Sequence, residues 1–282
     1  VCMYKISGFS DEIDTNIDVQ FAVLDKLGIK FFEPRGVNGK NISDLTEDEA
    51  KELKRKMDEH KIKASSIGSP IGKINIEDEF LPHLKKLEHC IKIAKILDCR
   101  YIRIFSFFIT DKKYEAHRDE VMRRMKEMIK LAEKEGVILL HENEKGIYGD
   151  LPERCKDIFD TVGNKNLGCV FDPANFVQCG AQTYPNAYEL LKDNITYMHI
   201  KDALKKDGSV VPAGYGDGCV KEILTKLKES GYDGFYSLEP HLGSFEGLAN
   251  LELGDAMTRL PKSGEGTFTV AYESLKKILE AN

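Results

Sequence analysis

The stretch Val137-Ile138-Leu139-Leu140-His141-Glu142 is a short apolar run that ends in a carboxylate. Three later runs, at residues 167–172, 195–199 and 235–239, likewise end in a polar residue, which is a carboxylate in the first and third and a histidine in the second. A helical pattern separates each run from the next. This alternation favours parallel strands joined by helices, whose carboxyl ends lie at one face of the sheet. We therefore expect the polar residues at these ends to converge: Glu142, Asp172, His199 and Glu239.

The same alternation extends along the whole chain, with strand-like segments that begin near residues 4, 29, 62, 101, 137, 167, 195 and 235. Eight strand–helix units in 282 residues predict one α/β domain over residues 1–282, a (β/α)8 TIM barrel. A doubly wound open sheet is the alternative. It is disfavoured because the stretch after the first strand, Ser7-Gly8-Phe9-Ser10-Asp11, lacks the glycine fingerprint of dinucleotide binding.

The composition is typical of a globular protein, with 41% hydrophobic and 31% charged residues. A formal net charge of −6 argues against broad nucleic-acid binding and against anionic membranes. No apolar run reaches the roughly 18 residues of a membrane-spanning helix, and the first residues lack a signal-peptide pattern. The seven cysteines form no CxxC pair, so we expect reduced thiols and a cytoplasmic location.

Three carboxylates and one imidazole at one point indicate a bound divalent metal ion. Close carboxylates repel each other and resist burial unless a cation neutralises them. Three oxygen donors and one nitrogen donor favour Mn²⁺, with Mg²⁺ or Co²⁺ as alternatives, and a tetrahedral Zn²⁺ stays open. One divalent metal ion is therefore the expected cofactor.

Five motifs carry a resemblance to a known family, and their order and strand positions match over nearly the whole chain. They are LLHEN at 139–143, VFDPANF at 170–176, MHIKD at 198–202, PAGYGDG at 212–218 and GFYSLEPH at 234–241. On these motifs the chain resembles the sugar-phosphate isomerase/epimerase superfamily, the xylose-isomerase-like TIM barrels. The resemblance implies that Glu142, Asp172, His199 and Glu239 hold the metal, and that the two glutamates also transfer protons.

The resemblance implies a metal-dependent sugar isomerase or epimerase of carbohydrate metabolism. The metal would polarise a substrate carbonyl and stabilise the enediolate that forms when Glu142 or Glu239 removes a proton. Return of the proton by the other glutamate gives epimerisation, and its return to the neighbouring carbon gives isomerisation. A lyase that dehydrates a polyol or keto-acid at the same site remains an alternative, and so does a non-catalytic barrel.

Six further residues are predicted to contact a sugar or sugar-phosphate substrate. Lys201 and His241 each follow a candidate ligand by two residues, so strand alternation points them to the same side. A barrel-edge ion pair is an equal alternative for both residues. Arg103 is an unusual charge within a strand, and it either reaches the barrel mouth or pairs with a buried carboxylate. The six predicted contacts are Glu33, Ser66, Arg103, Asn175, Lys201 and His241.

Asn175 stands three residues past Asp172, where members of the superfamily often carry a substrate-binding histidine. Its amide would instead bond a sugar hydroxyl, and a plain turn asparagine is the alternative. The apurinic-endonuclease branch of the superfamily needs additional histidines for a three-metal cluster. Asn175 and the acidic net charge therefore argue against that branch, and no nucleic-acid or membrane partner is expected.

Two loops complete the prediction. Residues 213–218 are interpreted as tight-turn glycines and a helix cap in preference to a phosphate cradle, because Asp217 would repel a phosphate. The irregular stretch at about 240–266 is predicted to be a lid over the substrate or a subunit interface. Members of the superfamily are often dimers or tetramers, which allows a homo-oligomer. The sequence leaves open which sugar is bound and whether it is phosphorylated.

Overall fold

A ring of parallel strands forms the centre of the computed structural model, which describes residues 4–242 and 264–281. Eight strands alternate with helices along the chain, as the sequence predicts. The strands are β1 (Lys5–Gly8), β2 (Phe31–Phe32), β3 (Lys63–Ala64), β4 (Tyr101–Ile104), β5 (Ile138–Glu142), β6 (Leu167–Phe171), β7 (Ile195–Ile200) and β8 (Phe235–Leu238).

Backbone hydrogen bonds close the ring. β1, β8, β7, β6, β5 and β4 form one parallel sheet in that order, and β2 pairs in parallel with β3. The Glu33 amide donates to the Gly8 carbonyl at 2.8 Å, which joins β2 to β1. The Ile67 amide donates to the Tyr101 carbonyl at 2.9 Å, which joins the segment after β3 to β4. The predicted TIM-barrel fold is confirmed, and the open-sheet alternative is wrong.

The helices surround the barrel, and local sequence signals set several of their ends. The Thr46 hydroxyl accepts the Glu49 amide at 3.1 Å while the Glu49 carboxylate accepts the Thr46 amide at 2.8 Å, a capping box. The helices are α1 (Ile17–Leu27), α2 (Glu47–His60), α3 (Phe80–Ile96), α4 (Tyr114–Glu135), α5 (Pro152–Val162), α6 (Pro173–Gln178), α7 (Tyr188–Leu191), α8 (Val220–Glu229) and α9 (Gly264–Ala281).

The barrel interior is layered by the two-residue period of its strands. Leu140, Val170 and Tyr197 form one buried cluster contributed by β5, β6 and β7. Side chains two residues further along a strand point to the same side. Each of the three residues therefore lies directly beneath one of the polar strand-end residues, and apolar packing supports the polar layer from below.

A short hairpin follows β7 and orders the glycine-rich loop. Asp202–Ala203 pairs antiparallel with Val210–Val211, and the Asp202 carboxylate accepts the amides of Gly214, Gly216 and Gly218 at 3.0, 3.0 and 2.8 Å. A Cβ on Gly216 would lie 2.3 Å from an Asp202 oxygen, so only glycine fits there. The loop thus wraps an internal carboxylate.

Two predictions depend on residues outside the described ranges. Residues 243–263, which contain most of the predicted lid or interface at 240–266, fall outside the described residues. The lid and the single-domain organisation of residues 1–282 therefore stay predictions. No helix within residues 4–242 and 264–281 combines the length and apolar character needed to cross a membrane.

Candidate metal centre

Glu142, Asp172, His199 and Glu239 meet at the carboxyl ends of four neighbouring strands. Glu142 is the last residue of β5, Asp172 and Glu239 directly follow β6 and β8, and His199 is the penultimate residue of β7. One ligand atom of each residue lies within 4.8 Å of those of the other three. All four side chains are buried. The structure thus brings together the four residues that the sequence predicts to converge.

Asp172 is held at the first turn of α6. Its Oδ1 accepts the Asn175 amide at 2.9 Å, and its own amide donates to the Asn143 side-chain oxygen at 2.9 Å. Its Oδ2 has no hydrogen-bond donor among the described residues. Burial raises the pKa of Asp172 to about 7, against the opposing attraction of Lys201. The ammonium of Lys201 lies 3.0 Å from this oxygen as an ion pair without hydrogen-bond geometry, so the buried oxygen is placed to bind a cation.

Glu142 is fixed by donors on both of its oxygens. Arg103 Nη1 lies 3.2 Å from Oε2, and the Asn175 amide nitrogen lies 3.3 Å from Oε1. Burial opposes ionisation of the carboxyl, but His199 and Arg103 lower the pKa of Glu142 to about 2. Glu142 is therefore a carboxylate over the physiological pH range, held in one orientation by its neighbours.

Glu239 is surrounded by cations. Lys201 Nζ donates to its Oε2 at 2.8 Å, while Arg35 Nη1 and His241 Nε2 lie 3.3 and 3.4 Å from its Oε1. Burial favours the neutral acid, yet Lys201, His199, His241 and Arg35 lower the pKa of Glu239 well below its usual range. Glu239 is also ionised, and its two oxygens face different partners.

His199 presents its two ring nitrogens to different groups. Nδ1 lies 2.9 Å from Glu142 Oε1, inside the cluster, whereas Nε2 lies 3.0 Å from Glu33 Oε2 on the far side of the ring. The two carboxylates outweigh burial and raise the pKa of His199 well above its usual value, so both ring nitrogens carry protons here. A metal ion at Nδ1 would replace the proton on that nitrogen, while Glu33 would keep the one on Nε2. This is the arrangement in which a histidine ligates a metal while a second carboxylate orients its ring.

Glu33 is predicted to contact the substrate, and in the structure its carboxylate contacts Nε2 of His199. Its carboxylate is fully buried beneath His199 and also accepts hydrogen bonds from Tyr197 at 2.9 Å and Ser237 at 2.7 Å. These contacts place the carboxylate on the Nε2 side of His199, where it can orient the ring, and its contact with a substrate stays a prediction. Strand alternation places Tyr197 and Ser237 beneath the ligand layer, which is why Glu33 meets them there.

Four of the other five predicted substrate contacts touch candidate metal ligands, and Ser66 is the fifth. Arg103 and Asn175 bind Glu142, while Lys201 and His241 approach Glu239. Their polar atoms thus contact candidate ligands in this structure, and their contact with a substrate stays a prediction. The Ser66 hydroxyl is buried and has no hydrogen-bond partner in the described part of the chain.

Two residues that contact the cluster were missed by the sequence interpretation. Arg35 forms a two-point ion pair with Asp11, at 2.8 and 3.0 Å, and reaches Glu239 across 204 positions of sequence. Asn143 bonds the backbone of Asp172 through both ends of its amide. Their positions in the sequence could have identified them, because Arg35 follows Glu33 by two residues after β2 and Asn143 directly follows Glu142.

The donor set fits a divalent cation. It offers three carboxylates and one imidazole nitrogen within reach of a single ion, and one of those carboxylates has an oxygen without a hydrogen bond. Oxygen-rich sets of this kind suit Mn²⁺ or Mg²⁺, and Zn²⁺ also accepts them. The four residues thus meet the chemical requirements of a metal centre at the active-site face of a barrel.

Comparison with known proteins finds the same fold and a matching family. The family model described as a xylose isomerase-like TIM barrel matches residues 21–262. An uncharacterised protein from Methanocaldococcus jannaschii is 31% identical over 130 residues. That alignment covers 43% of this chain and 43% of the relative, so it spans less than half of the archaeal protein.

Two solved structures illustrate the likeness in three dimensions. The IOLI protein with a bound zinc atom superimposes with a TM-score of 0.76 at 17% identity, over 98% of each chain. A D-tagatose 3-epimerase-like protein superimposes with a TM-score of 0.74 at 21% identity, over 98% of this chain and 97% of that one. At these identities the likeness establishes a shared barrel.

Proposed function

The chain belongs to the xylose isomerase-like TIM barrel family, and from that premise we propose that it is a divalent-metal-dependent isomerase or epimerase of a sugar or sugar phosphate. The observation that carries this proposal is the convergence of Glu142, Asp172, His199 and Glu239 within 4.8 Å at the carboxyl face of the barrel. Mn²⁺ is the proposed ion, and Mg²⁺, Co²⁺ and Zn²⁺ are the alternatives.

The four converging residues would hold the ion, and each is already oriented by a neighbour. A divalent ion bound there would polarise a substrate carbonyl and offset negative charge that develops beside it. Glu33 keeps the proton of His199 on Nε2, which leaves Nδ1 as the donor to the ion. Arg103 and Asn175 fix Glu142 through separate oxygens. Little rearrangement of this layer would then be needed on binding.

Glu142 and Glu239 are the proposed proton-transfer groups. They belong to β5 and to the end of β8, so β6 and β7 separate them in the sheet and a small substrate would fit between their carboxylates. A carboxylate removes the proton next to a carbonyl, and the second returns one from the opposite face to invert that carbon. Return to the neighbouring carbon gives the isomer. Inversion of a carbon uses both carboxylates, whereas transfer to the neighbouring carbon can use one of them.

The proposed substrate is small because the groups available for binding lie within a buried layer. Arg103 and Lys201 are each 5% exposed, whereas the side chain of His241 is 43% exposed. A deeply placed set of this kind suits a small polyhydroxylated molecule that reaches into the barrel mouth. A cytoplasmic small-molecule enzyme without a nucleic-acid or membrane partner is therefore proposed.

Hydrogen exchange into a sugar panel tests this function. Mn²⁺-loaded and chelator-treated protein are each incubated in D₂O with ketoses, aldoses, their phosphates and inositol-type polyols. We expect metal-dependent gain of one deuterium on a carbon-bound position, abolished in Glu142→Gln and retained in the matched variant Glu144→Gln, whose side chain contacts Lys73 outside the cluster. Loss of water from the substrate would instead assign a lyase. Absence of exchange and of turnover across the panel would contradict the proposal.

A further inference from the structure

Lys201 places its ammonium group inside the candidate metal centre. Its Nζ lies 2.8 Å from Glu239 Oε2 and 3.0 Å from Asp172 Oδ2, between two of the four proposed ligands. The side chain is 5% exposed, so solvent does not compete for these contacts. The contact with Glu239 has hydrogen-bond geometry, whereas the contact with Asp172 is an ion pair alone. A positive charge thus lies beside the oxygens that a metal would use.

The charges around the cluster explain why a cation is needed there. Glu142 has Arg103 and His199 beside it, and Glu239 has Arg35 in addition to Lys201. Asp172 differs. Within residues 4–242 and 264–281, Lys201 is the one cation within ion-pair distance of its carboxylate. Without Lys201 or a metal, the buried Asp172 charge would have no compensation at short range.

We propose that Lys201 is an internal cation that stabilises the centre when no metal is bound and competes with the metal for the oxygens of Asp172 and Glu239. This inference rests on the proposed function, because it takes those two residues as metal ligands. An ammonium and a divalent ion that share two oxygens would lie only a few ångströms apart and would repel each other strongly in a buried site. Binding of the ion therefore displaces Lys201.

The chemistry of lysine suits this role. Its ammonium is a compact charge on a flexible four-carbon stem, so it moves by rotating side-chain bonds without disturbing the strand. Departure of Lys201 also removes the strongest hydrogen-bond donor from Glu239 Oε2, since Arg35 and His241 contact the other oxygen. That oxygen is then free to bind the metal ion. Metal binding and the loss of the hydrogen bond from Lys201 to Glu239 are therefore coupled through one side chain.

Substitution of the lysine tests the competition. Chelator-stripped Lys201→Met and Lys206→Met proteins are compared with the wild type by titration calorimetry with Mn²⁺ and by thermal unfolding. Lys206 is a matched control because it is an exposed lysine on the same hairpin connection. We expect Lys201→Met to bind Mn²⁺ about tenfold more tightly or better. Its metal-free thermal midpoint should fall by roughly 5 to 10 °C, because one partner of a buried ion pair is lost. Saturating Mn²⁺ should remove most of that deficit, and Lys206→Met should behave as the wild type.

Equal or weaker Mn²⁺ binding by Lys201→Met would overturn the competition. If that variant does not fold without metal, the wild type supplies the readout through acetylation of lysine amines followed by peptide mass spectrometry. Mn²⁺ should increase labelling of Lys201 and leave Lys206 unchanged, and unaltered labelling of Lys201 would refute its displacement. Failure of wild type and both variants to bind any divalent ion would refute the metal centre itself. A wild type that binds while Lys201→Met gains nothing would refute the Lys201 proposal alone.

Discussion

Glu33 Oε2 lies 3.0 Å from Nε2 of His199, and the opposite ring nitrogen points at Glu142 from 2.9 Å. Because Glu142 and Glu33 raise the pKa of His199 well above its usual value, both ring nitrogens carry protons here, and Glu33 is the partner that would keep the Nε2 proton if a metal ion replaced the one on Nδ1. Glu33 directly follows the two-residue strand β2 and precedes His199 by 166 positions in the sequence. Glu33 thus contacts the candidate ligand His199 from the side opposite Glu142.

Glu33→Gln should weaken metal binding about 10- to 100-fold, because an amide no longer favours the proton on Nε2 of His199. The size of the side chain is kept, so the circular dichroism spectrum should stay that of the wild type. Titration calorimetry with Mn²⁺ measures the effect, and Glu77→Gln at an exposed position is the control. Wild-type affinity in Glu33→Gln would refute the orienting role.

Glu239→Gln should lower turnover about 10²- to 10⁴-fold, the range expected when a proton-transfer group is lost. Its carboxylate follows β8 and packs no core, so cooperative unfolding should be retained. The assay is turnover of the substrate that exchange identifies, measured with metal saturation checked by elemental analysis. Glu229→Gln on the exposed end of α8 serves as the control. A metal-loaded Glu239→Gln that keeps wild-type turnover would remove Glu239 from the mechanism.

The sequence predicted which four residues converge, because strand position alone decides it. Glu142, Asp172, His199 and Glu239 each end an apolar run, and parallel strands must bring such ends together. The sequence did not predict the direction of individual side chains. Glu33 also follows a strand, yet a polar network with Tyr197 and Ser237 holds it below the cluster.

The sequence also could not decide which groups Lys201 contacts. Alternation predicts the correct side of the barrel, but the choice between a substrate contact and an ion pair depends on distances to Asp172 and Glu239. Those distances are set by residues that lie 29 and 38 positions away from it. Arg35 shows the same limit, since its contact with Glu239 spans the closure of the barrel between its first and last strands.

Asp202→Ala should destabilise the fold by about 3 kcal/mol or more, because the amides of Gly214, Gly216 and Gly218 would lose their acceptor. Urea unfolding followed by circular dichroism measures the change in the free energy of unfolding. Asp207→Asn, on the exposed turn of the same hairpin, should change it by less than about 1 kcal/mol. A stability loss of similar size in both variants would show that the carboxylate of Asp202 does not organise the loop.

His83 should make the fold less stable below neutral pH. Burial lowers the pKa of His83 to about 4, and its Nε2 accepts the Gly72 amide at 2.7 Å. Between pH 6.5 and 4 the unfolded chain therefore binds a proton that the folded chain does not, so the free energy of unfolding falls as the pH falls. His83→Gln keeps an acceptor and should remove about 2 kcal/mol of this pH dependence. Urea unfolding at several pH values measures it, and parallel curves for the two proteins would contradict the assignment.

Metal stoichiometry is the most direct test of the central claim, that four strand-end residues hold one divalent ion. Wild type, Asp172→Asn and Asp150→Asn are stripped with chelator, reloaded with Mn²⁺, desalted and analysed by native mass spectrometry. Asp150 is a buried acid paired with Arg154, outside the cluster. The account predicts one ion per chain in the wild type and in Asp150→Asn, and none in Asp172→Asn. A wild type without metal, or an Asp172→Asn protein that retains a full equivalent, would contradict it.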